Sequence, residues 1–352
     1  MSRRDIYYWK CDRPAAFHGT QSRDMINGEM QRQLQQALAK HFDENEVVLS
    51  PGVGQGNHLT WNAEMAGKSL FIRVENGPEK DAHLAIESTL LDRVRLAGVR
   101  TPLVFGFDVS RSSAPFAWQA LERIPLADLN QAFKQGTLDK DRIAHQIGVA
   151  IADWQSIRLE GYGVLNDSLQ GYRQSYADYF HLRLDKHLHF LKSRGFLSSS
   201  EEIMAEIENH DDLLDLAPGC LVHKDLALWN ILGSSHEIAA FIDFDDAISG
   251  DAMDDLSMLA CFHDAVFLKN AFAGYESRRA LPTEALRRFW LHLLRNMIVK
   301  AVIRVGAGYF DRDDGFFLIS AGSSGPSLRE TTLSKLKLAL QGLREGCDLD
   351  IL

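Results

Sequence analysis

The sequence predicts an α+β chain of two unequal lobes, a small lobe on an antiparallel sheet and a larger, mainly helical one. Three observations carry this prediction. Residues 46–74 read as short strands joined by a glycine-rich loop and a polar turn. Beyond residue 140 apolar positions recur at helical spacing in a series of long runs. Set among those runs is one short hairpin pattern, Ile231-Leu232 and Ile238 to Ile242, bordered by carboxylates. With 352 residues the chain fits one large or two modest domains. It divides into an extension at 1–45, a small lobe with its connection at 46–122 and a large lobe at 123–352.

Composition narrows the class. Hydrophobic residues at 45% and charged residues at 24% describe an ordinary globular chain, without repeats or low-complexity segments. A net charge of -10 disfavours nucleic acid and anionic membrane as partners. Cys11, Cys220, Cys261 and Cys347 form no C-x-x-C pair and read as reduced thiols. The amino terminus lacks the unbroken apolar run of a secretion signal. The most apolar helical stretch, FWLHLLRNMIVKAVIRV, is interrupted by Arg295, Lys300 and Arg304 and reads as a buried helix, not a span. Together these features predict a cytoplasmic protein.

The extension ends in a helix predicted from Ser22 to His41, with Met25, Leu34, Leu38 and Phe42 at its apolar positions. Its aromatic cluster, Tyr7, Tyr8, Trp9 and Phe17, leaves two readings open: packing on its own lobe, or docking on a partner subunit of a homodimer. No function is assigned to it.

The small lobe begins with EVVLS, the loop PGVGQGN, the strand HLTWN, a turn at residues 64–68 and the strand SLFIRV. Gly52, Gly54 and Gly56 let the backbone bend closely over phosphates, and the same glycines also suit plain turn chemistry. No GK[ST] follows and the chain continues as a strand instead of opening a helix, so the rival nucleotide motifs fit worse. A glycine loop between two strands is the kinase arrangement. In such a lobe a basic residue on the third strand meets the phosphates and a glutamate on the next helix steadies it. Arg73 and Glu87, the latter in a helix predicted from Ala82 to Ala97, occupy those places. TPLVFGFD and FAWQALERIPLADL follow as strand-rich pieces. Helices are then predicted over 142–158, 172–194, 200–214, 254–270, 282–305 and 327–343.

The chemistry concentrates between Leu221 and Leu256. HKDLALWN has the spacing H-x-D-x-x-x-x-N, in which an aspartate meets an acceptor hydroxyl and an asparagine holds magnesium. That assigns Asp225 and Asn230, and Asp243 in IDFDDA becomes a second metal ligand. A hairpin folded about His236-Glu237 sets Ile231 against Ile242 and Asn230 against Asp243, with opposed Cα atoms about 5 Å apart, a spacing that suits one hard cation. Asp243, Asp245, Asp246, Asp251, Asp254 and Asp255 run without an intervening base. Such a run is a solvated face or a set of carboxylates needing a cation. Asp243 and, after it, Asp245 are assigned to metal.

These residues resemble the aminoglycoside phosphotransferase and choline kinase group, whose pattern runs LVHGDLxxxNIL and then IDWEDAxxGDPxxDLA. This chain reads LVHKDLALWNIL and IDFDDAISGDAMDDLS. The resemblance implies a bilobal protein-kinase-like fold, with Asp225 as catalytic aspartate, His223 beside it as a brace of the loop, and Asn230 and Asp243 as Mg2+ ligands. Asp251 and Asp255 brace the large lobe. It also implies a lobe connection at Gln119, Ala120, Leu121 and Glu122, where backbone groups receive the purine edge. Lys224 at a usually small position, Trp229 before the asparagine, Ala252 in place of proline and Gln155 in place of a histidine depart from the pattern. Lys224 and Trp229 are expected to reshape the acceptor side.

The implied activity is transfer of the γ-phosphoryl group of ATP or GTP to a hydroxyl of a small acceptor, amine-bearing or sugar-like. The alternatives are an atypical protein kinase, although GDAMDDL leaves no room for an A-P-E segment, and a non-catalytic nucleotide-binding scaffold. Trp229, Asp264, Tyr275, Tyr309, Asp311, Asp313 and Asp314 are acceptor-side candidates to which no role is assigned.

Overall fold

The computed structural model describes residues 3–13, 16–17, 28–52, 58–65, 67–312 and 325–352. The glycine loop therefore falls largely outside the described residues, Gly54 and Gly56 included, and so do Asp313 and Asp314. In the small lobe, β1 (Val48–Pro51), β2 (His58–Met65), β3 (Lys68–Glu75), β4 (Val104–Asp108) and β5 (Trp118–Glu122) form an antiparallel sheet in the order β1-β2-β3-β5-β4. Period-2 alternation gives this sheet two different faces. Trp61, Ala63, Leu70, Ile72, Trp118 and Ala120 point to one face, where they bury Leu34, Ala37 and Leu38.

Those three leucine and alanine side chains belong to α2 (Gly28–Phe42), which follows α1 (Trp9–Asp12). The extension is thus not a separate unit. Its helix is part of the small lobe, while Tyr7 and Tyr8 belong to the core of the large one. The opposite face of the sheet carries Arg73 and Gln119 and packs on α3 (His83–Leu96), where Gln119 Nε2 donates to Ser88 Oγ at 2.8 Å.

The large lobe holds α4 (Leu129–Lys134), α5 (Lys140–Trp154), α6 (Tyr176–Phe180), α7 (Leu184–Ser193), α8 (Glu201–Glu208), α9 (Met253–Ala260), α10 (Ala265–Glu276), α11 (Ala285–Gly306) and α12 (Gly325–Glu345). Three predicted helices are broken, and the one over 200–214 gives way after Glu208 to a separate 3-10 turn at Asp211–Leu214. The run over 172–194 splits because Arg183 turns into the left-handed region, with φ of 64°, between α6 and α7. The run over 254–270 splits because the Asp264 carboxylate caps α10 by accepting from the Phe267 amide at 3.1 Å. Helices α5 and α10 cross closely: a Cβ on Gly148 would lie 1.9 Å from the Ala271 carbonyl oxygen. No helix among the described residues is long and apolar enough to cross a membrane.

A second sheet, which helical periodicity did not predict, runs through the large lobe. Strands β6 (Arg158–Leu159), β7 (Tyr162–Leu165), β8 (Gly171–Arg173), β9 (Gly219–Val222) and β12 (Ile248–Gly250) lie in the order β6-β9-β12-β7-β8. The hairpin of β10 (Ile231–Gly233) and β11 (Ile238–Phe241) leaves from between β9 and β12. Because Ile248 pairs with Val222 and Gly250 with Cys220, the chain enters and leaves the motif region on neighbouring strands. That pairing fixes the region at both ends.

The hairpin register corrects the sequence expectation. Ile231 pairs with Phe241, not Ile242, and a bulge between Leu232 and Gly233 shifts the remainder. Its tip lies at Ser235-His236, since the Ser234 amide donates to the Glu237 carbonyl. Asn230 consequently faces Ile242, whose amide donates to the Asn230 carbonyl at 3.0 Å. Asp243 comes one residue later.

Candidate active site

Strand β9 delivers His223, Lys224 and Asp225 to the cleft between the lobes. The turn after β9 is held by the Asp255 carboxylate of α9, which accepts from the His223 amide at 3.1 Å, the Lys224 amide at 3.2 Å and Trp154 Nε1 at 3.0 Å. The fully buried His223 ring joins the two halves of the motif. Its Nε2 faces the Ile242 carbonyl at 3.0 Å and its Nδ1 accepts from the Asp225 amide at 3.4 Å. A carbonyl only accepts, so Nε2 carries the ring proton. His223 is committed to backbone on both sides and acts as a brace.

Asp225 is shared between two neighbourhoods. Its Oδ1 accepts from Lys300 Nζ at 2.9 Å and from the Tyr8 hydroxyl at 2.8 Å, while Oδ2 faces Asn230 Nδ2 at 3.3 Å. Burial pushes this carboxyl up, but Lys300, Tyr8 and Lys10 outweigh it and bring it down to about 2. Asn230 also donates to the Asp225 carbonyl at 2.8 Å, which turns its amide oxygen away from Asp225. Asp243 adopts φ of 66°, and its side chain stays 39% exposed at the cleft. Oxygen donors of this kind suit a hard divalent cation.

From the small lobe, Arg73 reaches both Glu87 and Asp243. Its guanidinium contacts the buried Glu87 carboxylate and donates to Asp243 Oδ1 at 2.7 Å. Arg73 loses solvation on burial, and these two carboxylates more than restore its charge, raising it above its ordinary value. The planar fork of arginine lets one side chain bridge α3 and the end of the hairpin.

Several predicted positions behave otherwise. Asp245, assigned to metal, is buried and turned to the small lobe, 3.2 Å from both His58 Nε2 and His83 Nε2. These neighbours hold its carboxyl well below the usual range against the effect of burial. It pins the two lobes together and does not face Asn230. Gln119, Ala120 and Leu121 lie in β5 between β3 and β4, so their backbone groups are spent on two ladders. The Glu122 amide donates to the Leu103 carbonyl at 2.8 Å and its carboxylate accepts from Arg100 at 3.0 Å. Backbone open to a purine begins only after Glu122. Gly52 donates to the Thr60 carbonyl at 3.0 Å and packs so closely that a Cβ would lie 2.8 Å from Thr60 Oγ1.

The departures from the family pattern resolve differently too. Lys224 takes φ of 69°, the conformation a small residue suits, and its ammonium points into the large lobe. There it donates to Asp254 at 2.7 Å, Asn296 at 3.2 Å and the Tyr7 hydroxyl at 3.2 Å. It does not line the acceptor side. Trp229 packs edge-on against Phe262. Gln155 recovers its contact by donating to the Ala252 carbonyl at 2.9 Å and accepting from the Tyr275 hydroxyl at 3.0 Å. Asp251 receives Arg288 and His292, each at 3.1 Å, as a brace of the lobe.

Two partners of Asp225 went unread in the sequence, Lys300 and Tyr8. The signal for Lys300 was present: a cation in the most apolar helix must find a buried partner. Tyr8 gave no such signal. Its seat is built by Asp12, which accepts from the Tyr7 and Tyr8 amides at 3.1 and 3.0 Å and from His187 Nε2 at 2.8 Å. Cys11, Asp12 and His187 group like metal ligands. However, Arg295 donates to His187 Nδ1 at 3.1 Å, so Nε2 carries the proton and has no lone pair for a metal.

Residues 51–290 match the model of the phosphotransferase enzyme family. Among solved structures, the aminoglycoside phosphotransferase APH(4)-Ia superposes with a TM-score of 0.65 at 16% identity, over 90% of this chain and 100% of that one. A thermostable mutant of that enzyme, in ternary complex with ADP and hygromycin B, gives 0.63 at 14% identity over 88% and 98%. A microcompartment-associated aminopropanol kinase gives 0.61 at 19% identity over 92% and 100%. At these identities the likeness is one of fold. No curated protein matches the sequence.

Proposed function

From the premise that the chain belongs to the phosphotransferase enzyme family, we propose that it transfers the γ-phosphoryl group of ATP or GTP to a hydroxyl of a small molecule. The observation that carries this reading is Asp225, a carboxylate held ionised with one oxygen toward a hydroxyl and a cation and the other toward Asn230. In this reading Asp225 orients the acceptor hydroxyl and accepts its proton, while His223 fixes the loop. Asn230 and Asp243 would hold Mg2+, which neutralises phosphate charge when bound. Arg73 offers the nucleotide phosphates a fork of donors steadied by Glu87.

A loose transition state leaves the protein chiefly with alignment and charge neutralisation. Lys300 then balances Asp225 so that the base stays ionised through the physiological range. The acceptor class is an amino alcohol, an aminoglycoside or a sugar. The related structures support that range, since one binds hygromycin B and another is an aminopropanol kinase. Four free thiols fit a reducing cytoplasm.

The test is calorimetric binding of ATP and GTP with and without Mg2+, followed by turnover on aminoglycosides, amino alcohols, sugars and a generic protein. Metal-dependent nucleotide binding with phosphorylation of one small-molecule class is the expected result. Phosphorylation of the protein alone, or binding without any transfer, overturns the reading.

A further inference from the structure

The hydroxyl that Asp225 holds in this structure belongs to the chain itself. Tyr8 Oη donates to Asp225 Oδ1 at 2.8 Å, the contact that an acceptor hydroxyl makes with a catalytic aspartate. Lys300 Nζ stands 3.5 Å from the same Tyr8 oxygen and 2.9 Å from the same carboxylate oxygen. The other oxygen of Asp225 faces Asn230, so the phenol lies across the carboxylate from that proposed metal ligand.

This placement is built by a dedicated seat. Asp12 fixes both tyrosine amides, and Arg183 Nε donates to the Asp5 carbonyl at 2.9 Å. Arg3 ties the segment to the small lobe through Asp81 at 2.8 Å. Tyr7 stacks on Tyr179 with centroids 4.8 Å apart, lies 3.6 Å from the Arg295 guanidinium, and accepts from Lys224 Nζ through its hydroxyl oxygen. Adjacent tyrosines are thereby distinguished, one anchored away from the carboxylate and one presented to it. Tyr8 is 3% exposed, so an external kinase has no access to it in the folded chain.

We propose that Tyr8 is a phosphoryl acceptor in cis, a modification site that the chain's own catalytic centre fills. The Tyr8 Oη to Pγ bond forms, the bond from Pγ to the β-γ bridging oxygen breaks, and the phenolic proton passes to Asp225. Nucleoside diphosphate leaves, and Lys300 offsets one of the two charges of the phosphate dianion on Tyr8. A fixed acceptor within one molecule gains the advantage of high effective concentration. The proposal rests on the phosphotransferase reading of Asp225.

Full-length chain incubated with Mg2+ and γ-labelled ATP or GTP, with fragment-ion mapping, tests it. The expected result is up to one phosphate per chain on Tyr8, not Tyr7, with a rate constant unchanged over a tenfold range of protein concentration. Tyr8→Phe abolishes the label, and Asp225→Asn slows it at least a hundredfold. Mapping of the unaltered chain decides the matter alone if Tyr8→Phe does not fold. Small-molecule turnover without label on Tyr8 overturns this proposal and leaves the proposed function standing. A rate proportional to protein concentration also overturns it. Absence of both nucleotide binding and label overturns the two together.

Discussion

Asp225 sits between a cation and a hydroxyl on one side and an amide on the other, and its substitution separates chemistry from binding. Asp225→Asn keeps the shape and removes the base, so turnover falls by a factor of about 10² or more, the usual span of general-base catalysis. Nucleotide affinity, measured by calorimetry, stays within threefold. Lys300 is the main charge that holds the Asp225 carboxyl below its ordinary value. Asp225 lies below the ordinary carboxylate value in the folded chain, so the stability it contributes is present above that value and is lost as pH falls toward about 2. Lys300→Met removes the main compensating charge and leaves burial to raise the group. The acid limb of the kcat/KM profile then moves to higher pH, and an unmoved limb removes Lys300 from this role. At this scale the motif letters were legible in one respect: HKDLALWN and IDFDDA single out Asp225, Asn230 and Asp243 as the candidates from which the proposed mechanism is built. Asp245 was misread because a carboxylate in an acidic run carries no mark of which neighbour it turns to, and His58 and His83 are distant in sequence.

Among the elements, strands and long helices followed their periodicities, and the misses have local causes. A single left-handed residue at Arg183 and a cap at Asp264 ended helices that apolar spacing continued. The strands β6, β9 and β12 are two to four residues long, too short for alternation to declare itself. The hairpin register depended on a bulge, which sequence does not announce. The crossing of α5 and α10 gives an element-scale prediction. Alanine favours a helix over glycine by about 1 kcal/mol, yet a Cβ at Gly148 meets the Ala271 carbonyl oxygen and at Gly274 the His145 carbonyl oxygen. Overpacking costs about 1–3 kcal/mol, so Gly148→Ala lowers the midpoint of urea unfolding. A raised midpoint shows that the helices separate freely.

For the whole molecule, the two lobes are joined by polar contacts that cross the cleft: the ion pairs Arg73 to Asp243 and Arg3 to Asp81, and the imidazoles of His58 and His83 at Asp245. A nucleotide with Mg2+ binding across that cleft stabilises the folded chain by about 2.7 kcal/mol at a hundredfold excess over Kd. The rise in Tm is expected with both present, and Asp243→Ala loses it. Equal shifts in the two proteins place the metal elsewhere. By itself the sequence determined the family, the two-lobed α+β architecture and the three oxygen-bearing residues of the motif, because those depend on spacing within one continuous stretch. Only the tertiary structure decided that Lys224 faces inward, that Lys300 balances the base, and that Tyr8 from the far amino terminus delivers its hydroxyl to Asp225. Those are meetings of residues up to 292 positions apart, and what brings them together is the packing of a buried core, in which every buried charge must find a partner wherever in the chain it lies.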